Sequence, residues 1–437
     1  MLTLYDYQVR SAEVVESALR KHGFALDASD TGTGKTYVAC EVARRLGLPF
    51  VVICPKSIRT AWTRVARQAG IEPLDVLNVE KLKAGTTPWL SRRGRNQWQW
   101  SLPPGSLIIW DEVHNAGGIR TQNSKILALT KAYRYPVLAI SATSAESPLK
   151  MRALGYLLGL HSYRDFWTWV RSNGCFENKW GGFQFLRGPR GQAAIKRIHS
   201  HVFPEYGTRV IIDETDAFPE NSIQAEAYDL DEYTSAINKI YTEMDEALRD
   251  PEKADTHLTV MLRARQQVEL YKTPLLAEMT MDLLEEGKSV VVFVNFRDTL
   301  EQLQQRLGSD IKMSVIFGGQ STTVRDSNVD LFQADHTRVC LTMVQAGGQS
   351  ISLDDRTGKH PRVSLVCPGF NAVELSQALG RIHRAGTKTK CVQKIVFAAD
   401  TIEERACAAV KRKLDNISLL NDGDLQQGVV FHENTDK

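Results

Sequence analysis

The sequence predicts an α/β protein built as two parallel-sheet lobes, and three observations carry that prediction. Short apolar runs end at polar or glycine-rich loops in both halves, helix-compatible stretches separate them, and 437 residues at 43% hydrophobic exceed what one core ordinarily holds. In the first half the runs are Phe24–Ala28 before a glycine loop, Phe50–Cys54 before Pro55, Leu107–Trp110 before Asp111 and Val137–Ile140 before Ser141. Tyr37–Leu46 is a helical stretch between two of them. A run apolar at every position is buried on both faces, as strands of a parallel sheet with crossover helices are. The second half repeats the pattern at Ser289–Asn295, Ile311–Phe317, Val339–Met343, Val363–Cys367 and Val392–Phe397. Loops that carry chemistry should lie at the carboxyl ends of these strands.

The expected boundaries are a first lobe over residues 1–219 and a second over 220–437. Within the first, residues 149–219 are rich in aromatic and basic residues without a strand period, and are expected to be a helical or irregular elaboration. A helical lead-in over 220–287, broken near Pro251 and Pro274, opens the second lobe, which closes on a C-terminal helix and a polar tail from Asn421 expected to fray. Lys and Arg number 54 against 51 Asp and Glu, so a net charge of +3 leaves recognition of a polyanion to local basic surface. Seven cysteines without a CxxC pair argue against a disulfide framework or a zinc ribbon. The N-terminus alternates charged and apolar residues, and no apolar run reaches the ~20 residues that span a bilayer. A soluble, intracellular protein with no membrane partner is expected.

Four strings stand in one order: SDTGTGKT at Ser29–Thr36, DEVH at Asp111–His114, SATS at Ser141–Ser144 and QALGRIHRAG at Gln377–Gly386. After an apolar strand, Thr31-Gly32-Thr33-Gly34-Lys35-Thr36 supplies small residues whose backbone N–H groups can turn toward phosphate at a helix N-terminus. Lys35 then holds the β- and γ-phosphates of ATP and Thr36 ligates Mg²⁺; Ser29 replaces the first glycine of the general pattern. Asp111 is the expected second Mg²⁺ ligand and Glu112 the base that activates water. His114, Ser141 and Thr143 are candidates for coupling, although such polar residues also satisfy strand-end backbone groups. Arg381 and Arg384, three apart and on one face if helical, suit a clamp on the γ-phosphate. The bland alternative for them is a solvated basic face.

With these strings on the page, the chain resembles a superfamily 2 helicase or translocase from Tyr7-Gln8, similar to the family's adenine-reading glutamine motif, to Gln377–Arg384. The resemblance implies two RecA-like lobes with an ATP cleft between them, and Gln377 beside the two arginines at the nucleotide. Ala346-Gly347-Gly348-Gln349-Ser350-Ile351-Ser352-Leu353 and Cys367-Pro368-Gly369-Phe370-Asn371 look most like the Swi/Snf-like branch, with Gln349-Ser350 where that branch often has a hydrophobic residue and glycine.

The resemblance further implies nucleic acid across both lobes, touching Lys56, Asn78, Arg297, Gln345, Ala346 and Gly347. Lys56, Arg59 and Arg297 each follow a strand in a loop, where a phosphate contact and a solvated charge are both open readings. Pro88–Trp100 mixes Arg92, Arg93 and Arg95 with Trp89, Trp98 and Trp100, which suits base stacking or tryptophans tucked into the lobe. The leading expectation is an ATP-dependent translocase on duplex or branched DNA, with single-stranded DNA also admitted and recombination or replication as the family-level setting. An RNA helicase, or a motor subunit or nucleotide-dependent switch of a larger complex, is the alternative.

Overall fold

The computed structural model describes residues 2–94, 97–119, 121–178, 182–186, 188–212, 215, 218–230, 232–249, 257–347, 351–369, 371–401, 403, 415 and 430–431. Arg95, Pro251, Gly348, Gln349, Ser350, Phe370, the expected C-terminal helix and nearly all of the tail from Asn421 therefore lie outside the described residues. The chain forms two compact units, residues 1–214 with Asp415, and residues 215–413 with Val430–Phe431, so Asp415 departs from the expected second lobe over 220–437.

In the first unit, α1 (Asp6–His22) leads into β1 (Phe24–Asp27), α2 (Lys35–Leu46), β2 (Phe50–Cys54), α3 (Arg59–Gln68), β3 (Asp75–Asn78) and α4 (Val79–Ala84). A hairpin of β4 (Leu90–Gly94) and β5 (Gln97–Trp100) follows, then β6 (Leu107–Asp111), α5 (Gln122–Ala132) and β7 (Val137–Ile140). After α6 (Arg152–Leu157) and α7 (Phe166–Ser172) come a second hairpin of β8 (Cys175–Glu177) and β9 (Phe183–Phe185), α8 (Pro189–Val202) and β10 (Gly207–Thr208). The sheet order is β10-β1-β7-β6-β2-β3, and every pair is parallel. Its strands bury side chains both ways: Phe24, Val51, Ile53, Ile108 and Trp110 join one core, and Ala25, Phe50, Val52, Leu107 and Ile109 the other. That two-sided burial is why the strands read as unbroken apolar runs.

The segment expected to be helical or irregular, 149–219, departs from that expectation at the β8–β9 hairpin and again at its end. Gly207 and Thr208 pair with Leu26 and Asp27 as an edge strand. Two residues carry no periodicity, and a Cβ at Gly207 would collide with Leu26 O, so the approach depends on glycine.

The second unit begins with β11 (Asn221–Tyr228), a strand where a helical lead-in was expected, followed by α9 (Glu232–Arg249), α10 (His257–Tyr271) and α11 (Thr273–Glu285). Next come β12 (Ser289–Val294), α12 (Arg297–Leu307), β13 (Met313–Ile316), α13 (Thr322–Gln333), β14 (Val339–Met343) and α14 (Val344–Gly347). β15 (Arg362–Val366), α15 (Ala372–Leu379), β16 (Cys391–Ala398) and β17 (Val430–Phe431) complete a parallel sheet of order β13-β14-β12-β15-β16-β11-β17. β11 is half-exposed along most of its length and reads Asn-Ser-Ile-Gln-Ala-Glu-Ala-Tyr, which hides a strand among polar residues. No described helix is long and apolar enough to cross a membrane.

A buried ion pair pins this unit. Lys272 Nζ donates to both oxygens of Glu403 at 2.8 and 3.0 Å, and Glu403 Oε2 also accepts from Ala398 N–H at 2.9 Å. Burial disfavours the ammonium, but Glu403, with Cys367 and Glu269, more than offsets it, so the Lys272 pKa stands above its ordinary value. Lys272→Met should leave a buried carboxylate uncompensated and cost about 3–5 kcal/mol, seen as a lower urea midpoint by circular dichroism. Lys272→Met/Glu403→Leu should recover most of that loss, and an unchanged midpoint in the single variant would contradict the pair's role.

Candidate active site

β1, β7 and β6 are neighbours, with Asp27, Ile140 and Asp111 at paired positions, so the loops that follow them leave one sheet edge at one level. The first loop is wound by two glycines in left-handed conformation, Gly32 (φ +98°) and Gly34 (φ +85°), and Lys35 opens α2. Lys35 Nζ donates to Ser29 O and Asp30 O, each at 2.8 Å. Thr33 is buried, and its carbonyl accepts from Tyr7 Oη at 3.0 Å and Gln8 Nε2 at 2.9 Å. Gln8 Oε1 accepts from Tyr5 N–H at 3.0 Å, so the glutamine expected to read adenine links the start of α1 to the loop. A Cβ on Gly34 would press against Gln8 Nε2. Thr31 and Thr36 are half-buried.

Sequence reasoning missed what holds this loop from behind. Asp30 N–H donates to Val210 O at 2.9 Å and Val210 N–H to Ser29 Oγ at 3.1 Å, while Ile212 N–H reaches Asp30 Oδ2 at 3.0 Å. Arg209 Nη1 lies 2.6 Å from Asp30 Oδ1 and 2.7 Å from Ala28 O. Ser29, a departure from the glycine pattern, is thus the residue whose hydroxyl accepts from the chain beyond β10. The Ser29-Asp30 pair inside a phosphate-type loop was the available signal.

Charge concentrates at the same edge. Burial pushes Asp27 up and Lys35 down, and each group's charge opposes the other's shift; Glu112, Asp111 and Asp30 also favour the Lys35 ammonium. Asp111 is pushed up to about 7, first by burial and then by Glu112, against the Trp62 Nε1 hydrogen bond to its Oδ2 at 2.8 Å and the charge of Lys35. Its Oδ1 accepts from Glu112 N–H at 2.9 Å, so both oxygens are oriented. Glu112 adopts φ +54° at the strand end, and its Oε2 is 3.2 Å from His114 Nδ1. His114 Nδ1 also lies 3.0 Å from Ser141 Oγ, which accepts from Thr143 N–H at 3.2 Å. The structure therefore brings His114, Ser141 and Thr143 into one chain of contacts, and Thr143 Oγ1 is buried without a hydrogen-bond partner.

These residues fit a magnesium nucleotide. No described cluster of three His, Cys, Asp or Glu side chains could hold a metal by itself, whereas Mg²⁺ takes one or two protein oxygens and completes its shell with phosphate and water. Asp111 and the Thr36 hydroxyl are such oxygens, beside a glycine cradle and an ammonium.

In the second unit the arginines differ from the helical expectation. α15 stops at Leu379, one residue before Gly380, so Arg381 and Arg384 sit on the turns that follow and not on a helix face. Arg381 is 2% exposed, with Nη1 donating to Ile351 O at 3.4 Å and its carbonyl accepting from Leu353 N–H at 2.9 Å. Arg384 Nε donates to Gly380 O at 3.2 Å. This is no solvated basic face. Gln377 is half-buried within α15.

The expected nucleic-acid residues divide. Lys56 and Gln345 are exposed. Arg59 braces the sheet edge, its Nε donating to Val76 O at 2.6 Å, and Asn78 caps α4, its Oδ1 accepting from Lys81 N–H at 3.3 Å. Arg297 is held by Glu301 at 2.7 Å and stacks 3.5 Å over the Phe317 ring. Ala346 and Gly347 end the one-turn helix α14. Buried Glu269, which the sequence did not single out, fixes the neighbouring loop by accepting from Asn295 N–H, Phe296 N–H and Asn295 Nδ2 at 2.6–3.1 Å. In the 88–100 segment Trp98 and Trp100 are buried, which favours the tucked reading, while Arg92 and Arg93 are exposed.

Gly34→Ala should strain the loop by about 1–3 kcal/mol and weaken nucleotide binding roughly five- to hundredfold, read by titration with a fluorescent ATP analogue. A carboxyl must lose its proton before it takes a cation, so turnover should rise as pH climbs through about 7, the region to which burial and Glu112 push Asp111. Trp62→Phe removes a donor to the charged form and should move that rise to higher pH; a profile flat across that range would contradict the assignment.

The family described as helicase conserved C-terminal domain matches residues 272–386. A protein of Acanthamoeba polyphaga mimivirus named as an ATP-dependent RNA helicase is 32% identical over 97% of this chain and 84% of its own length. One of African swine fever virus, similarly named, is 24% identical over 91% of this chain and 70% of its own. A chromatin remodelling factor of Schizosaccharomyces pombe is 26% identical over 41% of this chain and 13% of its own. In fold, the chain is similar to Saccharomyces cerevisiae Dbp5 bound to RNA and ADP–BeF3, with a TM-score of 0.53 at 12% identity over 98% of this chain and 90% of that one. The strand-end loops, the two parallel-sheet lobes and the mimivirus relative lead to one conclusion: the chain belongs to the superfamily 2 helicases.

Proposed function

We propose that this chain is an ATP-dependent helicase that works on RNA. The observation that carries the ATPase is the arrangement at the sheet edge, where a glycine-wound loop presents Lys35 beside Asp111 and Glu112. In this reading Lys35 binds the β- and γ-phosphates and Thr36 and Asp111 hold Mg²⁺, which supplies charge neutralisation on the phosphates when bound. Glu112 takes the proton of the attacking water, His114, Ser141 and Thr143 relay the state of the site, and Arg381 and Arg384 supply positive charge for the transition state. RNA is favoured over DNA, the reverse of the order expected from sequence, because the two relatives that span most of this chain are named for RNA.

A second reading, a translocase on duplex DNA, is supported by the partial likeness to a chromatin remodelling factor. The resemblance of Cys367–Asn371 to the Swi/Snf-like branch points the same way. Either reading is of a nucleic-acid-stimulated ATPase.

Steady-state ATPase measured alone and with single-stranded RNA, duplex RNA, single-stranded DNA, duplex DNA and a four-way junction separates them. RNA should stimulate most; stimulation confined to duplex or branched DNA would replace the first reading with the second, and none by any polymer would overturn both. Lys35→Ala should lower kcat by roughly 10²–10³-fold and Glu112→Gln by roughly 10²–10⁴-fold. Unchanged turnover in either would remove that residue from the mechanism.

A further inference from the structure

A groove of about 720 Å³ opens on the first unit between the β4–β5 hairpin, α5 and α6. None of its lining residues belongs to the loops that carry Lys35, Asp111 or Ser141. Its volume falls in the ~300–1,000 Å³ range of ligand pockets. Three cations line it, Arg93, Lys125 and Arg152, and no carboxylate does. In a protein whose net charge is +3, that is a local excess with a direction.

The rest of the wall combines aromatic residues with Gln97, Gln99 and aliphatic side chains of α5, and the rings are held by named contacts. Tyr156 and Tyr163 meet edge to face at 5.4 Å. Lys131 Nζ sits 4.5 Å over the first ring and the Arg152 guanidinium 4.7 Å over the second, while Arg152 Nη1 is fixed by Ile119 O at 2.8 Å. Tyr133, at the end of α5 and 37% exposed, stacks on Tyr135 at 5.9 Å and 7°, and Tyr135 is anchored through its hydroxyl to Leu102 O at 2.7 Å. Buried Trp98 also lines the groove. On the hairpin side Arg93 is held across the strands by Gln99 Oε1 at 2.6 Å.

We propose that this groove binds single-stranded nucleic acid, with Tyr133 as a stacking platform for a base and Arg93 and Lys125 as phosphate contacts. The chemistry selects the ligand. Cations without a compensating carboxylate call for an anion, and an exposed, pre-oriented ring calls for a flat partner; a nucleotide unit of an unpaired strand supplies both. Duplex offers only backbone, because its bases are stacked on one another. The inference rests on the reading that this chain acts on nucleic acid, and adds to it a strand site formed by residues outside the helicase strings. It also gives the arginine-rich hairpin a function that leaves its tryptophans buried.

The test is fluorescence anisotropy of labelled oligo(U) and oligo(dT) on the full chain at several salt concentrations, comparing the natural protein with Tyr133→Ala and with Arg93→Gln/Lys125→Gln. Loss of one stacked base should weaken binding roughly five- to hundredfold. Loss of two phosphate contacts should flatten the log–log salt dependence by about 1.4. ATP hydrolysis without nucleic acid should stay unchanged in both variants, which separates a lost contact from a lost fold. An effect on one oligonucleotide only identifies which strand the groove takes. Natural-level affinity and salt dependence in both variants would overturn the groove while leaving the helicase reading intact, whereas failure of the natural protein to bind either strand would overturn both.

Discussion

The first unit is organised around the burial of one ammonium among carboxylates. Lys35 feels Asp27, Asp30, Asp111 and Glu112, and their negative charge opposes the cost of burying its ammonium. Parallel pairing of β1 with β7 and of β7 with β6 sets the strand ends at one level, and so fixes the spacing on which this balance depends. Negative charge is in excess there, with Arg209 the further cation bonded to the loop. Phosphate added to such a cluster without a metal ion would worsen the repulsion, which gives a physical reason for nucleotide and divalent cation to arrive together.

In both units a buried or half-buried acid positions a loop that the strands only begin. Asp30 receives Ile212 N–H and Arg209, and Glu269 receives three N–H groups from Asn295 and Phe296. Such contacts fix backbone and leave neighbouring side chains to face a ligand. They explain why Gly369 lies tight against Asn295 Oδ1, a contact of 3.1 Å for any added Cβ.

The fold was legible wherever strands are buried on both faces, since Phe50–Cys54, Val137–Ile140 and Val339–Met343 have the bounds that their apolar runs suggest. It was illegible where pairing outran composition. β11 is a polar strand near the sheet edge, β3 is half-buried at its ends, and β10 is two residues long. For the site, the phosphate-type loop and the acidic pair could be read because their chemistry needs a short, fixed spacing. Arg209 and Glu269 could not, because a side chain that accepts or donates across a fold has no local pattern. The backbone contacts of Arg59 and Asn78 were equally hidden, because a strand-end arginine or asparagine has the same sequence context whether it meets a phosphate or a backbone group.

The clasp behind the phosphate-type loop comes from residues 207–212, about 180 positions after the loop itself, as the separations of 181 and 182 between bonded partners record. During synthesis on the ribosome, β1 and α2 emerge long before that clasp exists. The contacts that hold the loop from behind therefore form only after nearly the whole first unit has been made, so its support is among the last features this lobe acquires.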